Sequence, residues 1–203
     1  MLYVILFVLQ LNYTFKTAFG YRWLKIFYHD SIGGVFFKNL DQTMYNFDPK
    51  LYSVLNIVNY RYKTNHYYEF LLEYPDLAGS NHWKQSKIPW YNTEVNGSTA
   101  EGYTPINITW NTHYWGGLVR SNNYFSCLTL MDGSAGTNYW WYALGVVNSS
   151  QYYPKYPGPN GILVNKSALW IRIDDLSVLN PITLSSKRRV FPILSQIFLF
   201  LCD

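Results

Sequence analysis

Glu69 and Glu73 are the first residues in this 203-residue chain whose types and spacing could do acid–base chemistry, and Asp132 with Glu101 is the second such pair. A glycoside hydrolase needs two carboxyl groups flanking one bond. Glu69 and Glu73 lie four residues apart on the predicted solvent face of a strand, about 13 Å end to end at ~3.3 Å per residue, too far for a joint site. The histidines His29, His66, His82 and His113 show no His-x-x-x-His spacing, and the chain has neither a Gly-x-Ser-x-Gly elbow nor a phosphate loop. They read as ordinary loop histidines, and the acids as solvated. Catalysis of any kind is therefore the weaker expectation, with a glycoside hydrolase as its least remote form.

Aromatic residues carry the stronger signal. The chain is 20% aromatic and only 14% charged, a balance suited to recognition through tyrosine and tryptophan, which offer a flat apolar face with a polar tip. Tyr139-Trp140-Trp141-Tyr142 follows the turn-forming run from Asp132 to Asn138. Such rings stack on the C–H face of a pyranose. The candidate ligand-binding residues are Trp140, Tyr142, Trp115 and Tyr114, with Asn138, Asn122, Asn123 and Asp132 as partners for hydroxyl groups. In a strand, Trp140 and Tyr142 share one face and Tyr139 and Trp141 the other, so one of these pairs is expected in the core.

The elements that must position these residues read as a strand, two helices and then mostly strands. Trp23 to Tyr28 predicts a first strand, closed by the turn His29 to Gly34. Phe37, Leu40 and Met44 recur at helical spacing. Asp48 as N-cap and Pro49 at the first helical position introduce Leu51, Val54, Leu55 and Val58 as a second helix. Tyr67 to Tyr74 alternates as a half-buried strand, with Tyr68, Phe70, Leu72 and Tyr74 on one face. A long polar loop is expected from Pro75 to Pro105, carrying Trp83, Trp90, Tyr91 and Tyr103, with at least one tryptophan folded back into a local core. Further strands follow at Ile106 to Trp110 (Ile106, Ile108 and Trp110 inward), Gly116 to Arg120, Phe125 to Met131, Tyr139 to Val147 and Ala168 to Ile173. The fold class predicted is α+β, an antiparallel sheet with two short N-terminal helices.

The order of these pieces resembles the fibrinogen C-terminal (fibrinogen-related, ficolin- and intelectin-like) domain. Trp23-Leu24-Lys25-Ile26-Phe27 with its glycine turn and Phe36-Phe37 resembles that family's opening, and Asp48 to Leu55 its short helix. Tyr68-Glu69-Phe70-Leu71-Leu72-Glu73 is similar to its Tyr-Glu-Leu-type strand, Tyr139 to Tyr142 to its Gly-Trp-Trp-Tyr segment, and Leu169 to Ile173 to its terminal strand. The resemblance spans about residues 21 to 175 and implies a fibrinogen-related-domain-like fold and a secreted, non-enzymatic, lectin-like binding module. The chain departs from the family in lacking its disulfides and calcium loop. Phe125 to Gly133 offers one carboxylate, too few for Ca²⁺, so no metal or other cofactor is expected. Cys127 and Cys202, the only cysteines, supply neither a disulfide framework nor a zinc site.

Charge and termini complete the expectation. The net charge of +4 comes mostly from Lys187-Arg188-Arg189, which leaves no basic stripe for nucleic acid. Residues 1–19 read as a signal peptide or apolar N-terminal segment, residues 20–175 as a single recognition domain, and residues 176–203 as a tail too short in apolar length to span a bilayer, for which peripheral membrane contact is one reading. Sequons at Asn12, Asn96, Asn107, Asn148 and Asn165 agree with secretion, and Asn96, Asn107, Asn148 and Asn165 are the glycosylation candidates. The expected partners are glycans or glycoproteins met outside the cell or at its surface. A structural or adhesive protein that binds other proteins is the alternative.

Overall fold

The computed structural model describes residues 13–91, 99–111, 115–121, 129–134, 141–147 and 153–174. Two of its strands, β1 (Phe15–Ala18) and β2 (Tyr21–Asp30), form a hairpin whose two turn residues, Phe19 (φ 53°) and Gly20 (φ 76°), are both left-handed. That backbone matches the right-handed twist of the strands it joins. β2 is the spine of the sheet, with Trp23, Leu24, Ile26 and Phe27 all fully buried. Because successive side chains point to opposite faces, β2 must be covered on both.

Along one side of β2 runs β12 (Lys166–Ile173), antiparallel from Ile173 opposite Arg22 to Lys166 opposite Asp30, with a bulge at Leu169/Trp170. Beyond it lie β5 (Tyr68–Glu73), β6 (Ser80–Gln85) and β7 (Thr104–Ile108). On the other side of β2 sit β1 and the short pair β3 (Asn46–Phe47) and β4 (Tyr52–Ser53). Among the described residues, these eight strands form one antiparallel sheet in the order β3-β4-β2-β12-β5-β6-β7, with β1 beside β2. Two small ribbons complete the fold: β8 (Trp115–Arg120) with β9 (Met131–Ser134), and β10 (Tyr156–Pro157) with β11 (Leu163–Val164). The main core lies on the inner face of the sheet, where Leu24, Phe27, Phe70, Leu72, Trp83, Leu169 and Ile171 meet Trp115, Leu118, Tyr142 and Leu144. A smaller outer cluster gathers Trp23, Leu71, Ala168 and Trp170.

This architecture corrects the predicted α+β class. Among the described residues the protein is mostly antiparallel β, with one five-residue helix, α1 (Leu40–Met44), and a few 3₁₀ turns. Asn39 caps α1 by accepting from Gln42 N at 2.9 Å, and Gln42 Oε1 in turn accepts from Lys38 N at 3.0 Å. The second predicted helix does not form. Asp48 caps a tight turn instead, its Oδ1 accepting from Lys50 N at 2.8 Å. Val54 N then donates to Ile26 O at 2.9 Å, so the chain enters the sheet before a 3₁₀ turn at Leu55–Ile57. Leu51, Val54, Leu55 and Val58 are all buried, as their spacing suggests. The spacing reported burial, and the hydrogen bonds to β2 decided the conformation.

The predicted loop from Pro75 to Pro105 contains β6, hidden from pattern reading by its polar sequence Ser-Asn-His-Trp-Lys-Gln. The polar residues are satisfied by partners distant in sequence. Asn81 exchanges two bonds with the Trp110 backbone, at 2.8 and 2.9 Å. Gln85 accepts from Trp83 Nε1 at 2.8 Å and bonds both ends of Leu118. Trp83 and Trp90 lie in the core and Tyr91 is exposed. Ile106, predicted inward, is 46% exposed because β7 is the outermost strand of this series. Trp141–Val147 forms no named strand; Leu144 bridges Met131. Since β1 belongs to the sheet, the folded domain includes residues on the N-terminal side of Gly20.

Candidate functional site

Two of the aromatic residues read as ligand contacts belong to the core. Tyr142 is 0% and Trp115 7% exposed. Their rings sit 4.9 Å apart, and Trp115 meets Trp83 edge-on at 4.9 Å. Neither ring offers a face to a sugar, which corrects their assignment; the inner face needed large side chains, and these two fill it. Asp132 lies in β9, where its Oδ1 accepts from Ser134 N at 3.2 Å and Ser134 Oγ at 3.1 Å. Burial pushes its carboxyl up to about 6, against the opposing bonds from Ser134 and Ser121. Trp140, Tyr114, Asn138, Asn122 and Asn123 lie outside the described residues, as do the sequons at Asn12, Asn96 and Asn148. Asn107 is exposed on β7, and Asn165 is half-buried just before β12.

A different cluster is built on the outer face of the sheet. Alternation in β5 turns Tyr68, Phe70 and Leu72 inward and Glu69, Leu71 and Glu73 outward. In β12 the outward residues are Ala168, Trp170 and Arg172, and the β5–β6 register sets Lys84 opposite Glu69 and His82 opposite Leu71. The result is a chain of charges. His82 Nε2 donates to Glu69 Oε1 at 2.8 Å, Arg172 Nη1 to Glu69 Oε2 at 3.0 Å, and Lys84 Nζ lies 3.5 Å from the same oxygen. Arg172 Nε donates to Asp174 Oδ1 at 2.7 Å, and Thr64 Oγ1 to Asp174 Oδ2 at 2.7 Å.

The tip of the β1–β2 hairpin borders this cluster. Phe19 and Trp23 bracket the His82 ring, each at 5.1 Å, and the Arg172 guanidinium stacks on Tyr21 at 3.5 Å. Glu69, read from sequence as a solvated acid, is 2% exposed, and His82, read as a loop histidine, also 2%. Burial alone would raise the Glu69 carboxyl, but the His82 bond and the charges of Arg172 and Lys84 hold it below its ordinary value. At Asp174 burial also pushes upward, and the bonds from Thr64 and Arg172 likewise prevail. Both carboxylates are ionised. Phe19 and Tyr21 remain 51% and 39% exposed.

Elsewhere on the outer face, charged groups surround Trp170. Trp170 Nε1 donates to Glu73 Oε2 at 2.8 Å, and Lys16 and Lys25 lie over the Trp170 ring at 4.3 and 5.4 Å. His29, the other buried histidine among the described residues, stacks on Tyr156 at 4.7 Å between Phe36 and Phe37, with its Nε2 proton donated to Val35 O at 3.1 Å. Among the described residues no three His, Cys, Asp or Glu side chains gather in a way that could hold a metal ion. Beside Arg172 a cavity of about 140 Å³ opens between Arg61, Lys63, Thr64 and Asp174.

Sequence reasoning missed the Glu69–Arg172 cluster. Its sequence signal is faint: His82 and Lys84 alternate in the polar β6, and Arg172 interrupts the apolar run of β12 just before Asp174. In comparisons with protein families, curated proteins and solved structures, nothing matches this chain.

Proposed function

We propose that the protein is a non-enzymatic, secreted or cell-surface binding module that recognises carbohydrate on glycans or glycoproteins. The observation that carries this reading is the Tyr21 ring: exposed, backed on one side by Arg172, with that guanidinium fixed in turn by Glu69 and Asp174. An aromatic face held in one orientation loses little freedom when a pyranose ring stacks on it. Arg172 lies beside it as a donor for ring hydroxyls. Phe19 extends the apolar surface at the hairpin tip, from a left-handed backbone conformation that is costly for a phenylalanine.

Three further points support this reading. Glu69 and Asp174 are both held ionised, so neither supplies the protonated carboxyl group that a glycosidase would need beside Tyr21. The resemblance to fibrinogen-related domains implies the same class of activity. The exposed sequon residue Asn107 suits a chain that meets the glycosylation machinery.

The test is the full chain, produced through a secretory pathway and probed on a glycan array with and without EDTA, beside Tyr21→Ala. Saturable binding that free sugar competes away and that falls at least tenfold in the variant, about 1.4 kcal/mol, supports the reading. A blank array from folded protein sinks it.

A second reading, adhesion to other proteins, is favoured by aromatic residues at the β3 edge. Tyr45 and Phe47 are 46% and 43% exposed and meet edge-to-face at 4.9 Å, and Tyr52 joins them 6.0 Å from Phe47. Exposed aromatic groups of this kind are common at protein interfaces.

A further inference from the structure

We infer that the cavity between residues 61–64 and the end of β12 binds an anionic group, a sulfate ester or a carboxylate, carried by the ligand. The inference rests on the carbohydrate reading for the identity of that ligand, though not for the existence of the anion site. Three cations line the cavity, Arg61, Lys63 and Arg172; Arg172 is already paired with Asp174 and Glu69, which leaves Arg61 and Lys63 as the excess positive charge. Among the described residues no carboxylate lies within ion-pair distance of Arg61 or Lys63, both of which are exposed; Lys63 Nζ sits 5.1 Å from the Tyr68 ring.

The hydrogen-bond inventory decides what such a cavity can recognise. Both Asp174 oxygens are already occupied, by Arg172 Nε and Thr64 Oγ1, and the Thr64 hydroxyl proton is thereby committed. The backbone N–H groups of the turn are committed as well: Arg61 N to Asn59 Oδ1, Tyr62 N to Asn59 O, Lys63 N to Tyr60 O and Thr64 N to Tyr67 O. The donors that remain are cationic side chains, and the ready acceptors are few. A neutral sugar needs donors and acceptors alternating around its ring, whereas a sulfate or carboxylate needs only donors and positive charge. Arg172 is held by its two carboxylates, so an anion would find one guanidinium preset and two exposed cations at the rim.

Two measurements on the full chain test this, each made on the natural sequence and on Arg61→Ala/Lys63→Ala, exposed positions whose change leaves the core intact. The first titrates inorganic sulfate against chloride at equal ionic strength, read by calorimetry. The second compares binding of neutral, carboxylated and sulfated forms of the same glycans. Saturable sulfate binding, and anionic glycans bound at least tenfold tighter than neutral ones, are expected, with both preferences lost in the double variant while neutral binding stays within twofold. The sulfated and carboxylated arms tell which anion is preferred. Neutral glycans bound as tightly as anionic ones, with no saturable sulfate binding, would overturn the anion site and leave the carbohydrate reading standing. Sulfate binding that the double variant loses, on a protein that binds no glycan, would keep the site and remove the carbohydrate reading.

Discussion

The guanidinium of Arg172 lies 3.5 Å from the centre of the Tyr21 ring while it bridges two carboxylates, Glu69 at 3.0 Å and Asp174 at 2.7 Å. The stack is therefore set from behind. Glu69 is buried and bonded to Arg172, and Arg172 in place covers one face of Tyr21.

Arg172→Ala strips the main cation from a buried carboxylate. Breaking a buried pair from one side costs up to about 3–5 kcal/mol, and His82 and Lys84, which stay beside Glu69, put the expected loss at the lower end of that range. Chemical denaturation should show a loss of that size, and Arg172→Lys, which keeps the charge without the planar fork, should lose less than half as much. Equal losses in the two variants would mean that geometry matters and charge does not.

His29 makes stability depend on pH. Burial lowers its imidazole to about 4 from an ordinary 6.5, over the smaller upward pull of the Val35 bond and Asp30. A folded value below the unfolded one gives stability that is complete above pH 6.5 and lost as pH falls through 4, about 3 kcal/mol in all. In an Asp132→Asn background, where no opposing titration offsets this fall, His29→Gln, which cannot titrate, should flatten it in urea unfolding between pH 6.5 and 4. An unchanged slope would place the titration elsewhere.

Asp132 works in the opposite sense. Burial raises its carboxyl to about 6 from 3.8, so its contribution is greatest below pH 4 and is lost as pH rises through 6, by up to about 3 kcal/mol. Asp132→Asn keeps an acceptor for Ser134 N and removes the charge. It should stabilise the protein at pH 7 and change little at pH 4. Because the two windows overlap, the natural chain should show a shallow net slope between pH 4 and 6 that steepens in the Asp132 variant.

Gly133 is fixed by contact. A Cβ there would sit 2.4 Å from the Trp115 ring and 3.1 Å from Tyr142 Cβ. Gly133→Ala should cost about 1–3 kcal/mol through overpacking and perturb the near-ultraviolet circular dichroism of the Trp83–Trp115–Tyr142 stack. A neutral result would show that this stack is looser than its contacts indicate.

The sequence by itself determined where the apolar mass goes and where the strongest strands lie. Trp23 to Phe27 and Ala168 to Ile173 are dense in β-branched and aromatic residues, and both are strands at the centre of the sheet. Leu51, Val54, Leu55 and Val58 were legible as core because spacing reports burial. Whether they coil or extend was not, since that depended on whether the β2 backbone lay within reach of Val54.

Only the tertiary structure decided the fate of the polar and exposed groups. β6 is a strand although its sequence is polar, because Asn81 and Gln85 find backbone partners 29 and 33 residues away. Tyr142 and Trp115 look like contact residues and are core, while Glu69 looks solvated and is buried. Composition assigns a side chain its cost of burial; it does not say whether a partner waits on the other side. For Glu69 that partner is Arg172, 103 residues along the chain, and the two meet only because β5 and β12 are neighbours in the sheet.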